Sequence, residues 1–216
     1  MAQTSFADIA LKLQASLIAE SARMGQIPPI VAVLNYDVLK NFWAAHPKDG
    51  VSFSPFEQRT DALVQSGPCG SVLWMDPVST DYRATFGRFL KANWGSTTDL
   101  TNSGYDVDHL YNRARAKQYG YRLVRMFLVV GDVNRDHGRS YEKQIGTAER
   151  NRFVKIMKLL DGMSELKALG LPPVKDGLLT PAHFAAASQA AAAYGIPVAS
   201  AEQTLRDMYG RAHPED

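Results

Sequence analysis

Two short polar clusters hold the side chains of this chain best suited to chemistry: Asp108-His109 and Asn134-Arg135-Asp136-His137. Hydrolysing a phosphodiester requires a nucleophilic water and stabilisation of charge on the departing oxygen. A divalent cation meets the second need, and an imidazole that deprotonates water meets the first. A hard cation such as Mg²⁺ takes oxygen ligands, and Asp108 with Asn134 offers two. Asp108 and His109 are neighbours, so a regular strand sends them to opposite faces. They reach one site only where the strand bends or ends. The bland reading stands beside this one: Asn134 opens a helix as an N-cap, and a histidine at a strand end is a surface or satisfied residue.

Positioning these clusters requires a strand, a second strand and a helix. Tyr105–Tyr111 alternates and reads as a short strand, and Tyr121–Val130 is rich in β-branched and apolar residues. Gly131-Asp132 turns that strand into a helix, and residues 147–160 are expected to be helical, with Phe153, Ile156, Met157 and Leu160 facing inward. Upstream, Ser5 with Asp8 resembles a capping box ahead of Phe6, Ile9, Leu13 and Leu17, a helix that Gly25 and Pro28-Pro29 end. Residues 30–44 read as a second helix or as a buried strand leading into one. A helix is expected over Phe56–Gln65, a strand over Ser71–Met75, and a helix from Thr80 or Asp81 to Trp94. Thr180-Pro181 opens an alanine-rich helix to about Tyr194, and Ala201–Tyr209 forms a last one.

Tyr105-Asp-Val-Asp-His109, followed about 25 residues later by Asn134-Arg-Asp-His137, resembles the active-site segment of HNH (ββα-metal) endonucleases, over residues 105–143. The resemblance implies that Asp108 and Asn134 bind a divalent metal, Mg²⁺ or Mn²⁺, and that His109 is the general base. It leaves His137 as a third ligand, which would suit Zn²⁺ or Ni²⁺, or as a phosphate contact. Arg122, Arg125, Arg135 and Arg139 are the candidate phosphate contacts. The family's middle asparagine has no counterpart other than the early Asn112. Either a backbone carbonyl orients His109 or the site is degenerate.

Charge distribution agrees with a polyanion partner. Residues 106–158 hold 12 Lys/Arg against 6 Asp/Glu in a chain whose overall charge is only +2; a solvated helix face is the alternative. Cys69 is the sole cysteine, which excludes an intramolecular disulfide and a cysteine-built zinc site. As a nucleophile it lacks a base nearby in sequence. His46, His183 and His213 read as structural or solvated, and no phosphate-loop, dinucleotide or serine-elbow motif occurs. No run approaches the roughly 18 charge-free apolar residues of a membrane span, and no signal-peptide pattern opens the chain, so a cytoplasmic protein, or one exported without a cleaved signal, is expected.

The reading is an α+β fold, mostly helical with a small ββα-metal unit. Residues 1–100 would be a mainly helical scaffold, 101–162 the catalytic unit and 163–216 a C-terminal helical segment, all in one compact domain. The expected function is metal-dependent cleavage of nucleic acid, DNA ahead of RNA. The rivals are an inactive HNH-like module that binds DNA or protein, and a helical adaptor in which both clusters are accidental.

Overall fold

The computed structural model describes residues 4–25, 27–96, 99–139 and 155–171, and residues 185–212 apart from 186–187 and 190. Helix α1 (Phe6–Arg23) opens where Ser5 accepts the Asp8 N–H at its N-cap, and it presents Ile9, Leu13 and Leu17 to the core. Residues 30–44 resolve into strand β1 (Ile30–Val33) leading into α2 (Tyr36–Ala44), with Asn35 as the cap between them. Three antiparallel strands follow: β2 (Ser52–Pro55), β3 (Ala62–Gly67) and β4 (Gly70–Met75).

The helix expected over Phe56–Gln65 is therefore absent. Glu57 and Gln58 have φ of 49° and 59°, which an α-helix does not accept. Arg59 then ties Asp61 to Asp81 through four hydrogen bonds, fixing a corner instead of a helical turn. Those bonds lower the Asp81 carboxyl to about 2 and raise the Arg59 guanidinium above its ordinary value. Beyond the corner, α3 (Tyr82–Trp94) runs between Asp81 at its N-cap and the left-handed Gly95.

Strand β5 (Tyr105–His109) pairs with β6 (Leu123–Val130), with the short α4 (Arg113–Gln118) between them. Helix α5 (Gly131–Arg139) follows β6 directly. Among the described residues of the 147–160 run, Met157–Leu159 form strand β7, not a helix, and Ile156 is exposed. Residues 147–154, and with them Phe153, lie outside the described residues, as do 180–184 at the start of the alanine-rich helix. The described structure closes with α6 (Gly162–Ala168) and α7 (Val198–Ala212).

The strands form one antiparallel sheet in the order β2-β3-β4-β6-β1-β7, with β5 also on β6. Strand β6 is the axis of the molecule, buried along seven of its eight residues. The period of two sorts β4 cleanly: Leu73 and Met75 join the core under α1 and α3, while Val72 and Trp74 join a second cluster with Leu39 and Trp43 of α2. The first cluster draws on residues from Ile9 to Leu205. The 1–100 segment, expected to be mainly helical, contributes four strands to the sheet. The result is an α+β architecture. Among the described residues no helix is long and apolar enough to cross a membrane.

Candidate functional site

Alternation along β5 decides where the candidate residues go. Asp106 and Asp108 stand on one face, partly exposed, and Val107 and His109 are buried on the other. The register with β6 runs without a break from Tyr105 opposite Val130 to His109 opposite Met126. No bend brings Asp108 and His109 round to one side.

On the carboxylate face, Lys167 of α6 places its ammonium 2.5 Å from Asp108 Oδ2, and only 5% of that lysine side chain is exposed. Asn134, one turn into α5, donates its amide to Asp106 Oδ2 at 3.1 Å, and Arg135 stands 3.6 Å from the same oxygen. His137 is buried, its Nε2 2.9 Å from the Leu171 carbonyl, so that nitrogen carries the proton and donates. Asp108 Oδ2 and His137 Nε2 are thus engaged with protein, and the Asn134 amide is turned toward Asp106. Among the described residues no group of three or more His, Cys, Asp or Glu side chains stands together to hold a metal. Asp108, Asn134 and His137 make their contacts to three different partners, Lys167, Asp106 and the Leu171 carbonyl.

His109 is 2% exposed and packs against the Tyr82 ring, centroids 4.8 Å apart. Among the described residues its Nε2 has no hydrogen-bond partner. Burial, reinforced by the charges of Arg113, Lys117 and Lys167, holds the imidazole down to about 3, so it is neutral at ordinary pH. A neutral imidazole is the right form for a base, but this one lies in the core, on the face of β5 opposite Asp106 and Asp108. Asn112 caps α4 by accepting the Arg115 N–H at 3.1 Å and does not orient His109 through that contact.

The four candidate phosphate contacts separate. Arg125 is 1% exposed and donates to Glu20 of α1 at 2.7 Å, because its position on β6 faces the helix. It is a core ion pair and does not reach a ligand in solution. Arg122 bonds Asp76 at 2.8 Å yet keeps 69% of its side chain exposed, and Arg135 bonds Asp132 at 2.6 Å. Arg139 is exposed at the end of α5.

A second set of cations, which the motif reading passes over, gathers around α4. Arg113 donates to the carbonyls of Pro77 at 2.7 Å and Ser79 at 2.9 Å, neutral acceptors that leave its charge uncancelled at those contacts. Its guanidinium also lies 5.0 Å from the Tyr82 centroid, and the exposed Arg83 lies 5.4 Å from the same ring. Lys117 is exposed on α4, and Lys158 of β7 stands 5.6 Å from the Tyr111 ring. The sequence did hold a signal for this: residues 109–131 contain five cations and no carboxylate. The pairing of that run with Tyr82 and Arg83, some 30 residues earlier, exists only in the fold.

Compared with protein-family models, with curated proteins and with solved structures, the chain finds no match.

Proposed function

We propose that this protein binds nucleic acid through the cationic surface of α3, α4 and β7, and that the β5–β6–α5 unit is the scaffold of that surface. The observation that carries the reading is the shared Tyr82 ring. Two guanidiniums, Arg83 and Arg113, flank one aromatic, and the Arg113 N–H groups that donate to the Pro77 and Ser79 carbonyls meet neutral acceptors, which leave its positive charge uncancelled at those contacts. Interleaved Arg and aromatic side chains suit a polyanion whose bases stack. DNA is the preferred partner, RNA the alternative.

A gel-shift titration of a plasmid fragment against salt, with a nicking assay in Mg²⁺, Mn²⁺, Ni²⁺ or EDTA alongside, tests it. Retention that weakens steeply with salt, and weakens further in Arg83→Ala and Lys117→Ala, is the expected result. Metal-dependent nicking that disappears in His109→Ala would replace this reading with metal-dependent hydrolysis. No retention at low salt of either the plasmid fragment or its heat-denatured strands would remove nucleic acid as the partner.

A further inference from the structure

Beside the cationic surface lies a groove of about 440 Å³, between the first turn of α3 and strand β5. That size falls within the range of about 300–1,000 Å³ of clefts that hold small molecules. Strand β5 pairs with β6 alone among the described strands, so its other edge borders this opening. Arg83 stands at one rim, and Leu100 and Tyr105, both partly exposed, supply apolar wall. Thr101, Asn102 and Asp106 are its other polar residues. Arg83 belongs to both the groove and the Tyr82 stack, so the groove opens onto the proposed phosphate path.

We infer that this groove takes a single unpaired nucleobase bearing an exocyclic amino group, and that the protein therefore prefers single-stranded nucleic acid. The inference rests on the nucleic-acid reading above and narrows it. Charge selects the occupant. A carboxylate beside a backbone phosphate is repulsive, whereas a carboxylate facing a base accepts from an amino group such as cytosine N4. Asp106 is 33% exposed, with Asn134 and Arg135 both on Oδ2, so it still presents carboxylate to solvent. Leu100 and Tyr105 suit the flat faces of a base, and Arg83 is placed for the phosphate that follows it. A paired base reaches such a groove only by leaving its stack, at a cost that a single strand does not bear.

Fluorescence anisotropy of the full chain with labelled 20-nucleotide oligodeoxycytidine, oligodeoxythymidine and a mixed duplex, at one salt concentration, reads this out. Oligodeoxycytidine should bind at least about tenfold tighter than the duplex and several-fold tighter than oligodeoxythymidine, which has no amino group. Asp106→Ala should erase the cytidine preference while thymidine binding holds. Because Asp106 also holds Asn134, Ala84→Phe provides an independent block: Ala84 is an exposed α3 residue on the groove, and its enlargement should bring single-strand affinity down to the duplex level. Equal affinity of the unmodified protein for single strand and duplex would overturn the groove inference and leave the cationic surface standing. Binding to none of the three would remove the nucleic-acid reading itself.

Discussion

The two faces of β5 hold opposite kinds of chemistry, although their residues alternate one by one. On one face Asp106 and Asp108 are held by Asn134, Arg135 and Lys167, brought by α5 and α6. On the other, Val107 and His109 sink into the core, with the imidazole against Tyr82 and no partner at Nε2 among the described residues. The comparison teaches that adjacency in sequence is separation in a strand. A motif becomes a site only where the chain bends to defeat the period of two, and the unbroken pairing with β6 keeps that period.

The largest test is of the carboxylate face. Asp108→Ala leaves the buried Lys167 ammonium without its carboxylate and should cost about 3 kcal/mol in urea unfolding, the low end for a broken buried pair because Asp108 is one-quarter exposed. A loss below about 1 kcal/mol, the level of a surface pair, would mean the two side chains part in solution and would return Asp108 to consideration as a ligand.

The buried face gives the next effect, and its sign follows from the depressed imidazole. Above about pH 6.5 both folded and unfolded chains hold His109 neutral, so it contributes no pH dependence. As pH falls toward about 3, the unfolded chain binds a proton that the folded one excludes, and stability declines by roughly 1.4 kcal/mol per pH unit. His109→Leu should remove that part of the slope. Parallel stability curves for the two proteins between pH 6 and pH 4, followed by urea titration, would sink the assignment of a neutral, buried imidazole.

Two smaller effects sharpen the contrast. Asn134→Ala deletes the hydrogen bond to Asp106 and should lower stability by about 1 kcal/mol; thermal unfolding with no shift would show that α5 does not hold that face through Asn134. Lys117→Ala touches an exposed position and should change stability by no more than about 0.5 kcal/mol. Its effect belongs in binding, where the slope of log affinity against log salt should shrink by about 1. An unchanged slope would take Lys117 off the surface that meets phosphate.

Sequence by itself determined the elements whose ends carry strong local chemistry. Ser5 with Asp8 starts α1, Asp81 and Gly95 bracket α3, and the β-branched run to Val130 makes β6. Each depends on neighbours a few residues away, which is why periodicity and capping rules reach it. The charge asymmetry around α4 was legible for the same reason, since it needs only a count. Residues 56–65 were not, because the corner there depends on Arg59 reaching Asp81, 22 residues on. Nor was β7, three residues long, which exists because β1 offers its edge. The site was decided by tertiary structure alone. Lys167 arrives from 59 residues beyond Asp108, Glu20 from 105 residues before Arg125, and Tyr82 from the far side of a loop to cover His109. Residue type says what a side chain is able to do, but its charge is already committed or still available according to partners that only the fold brings near.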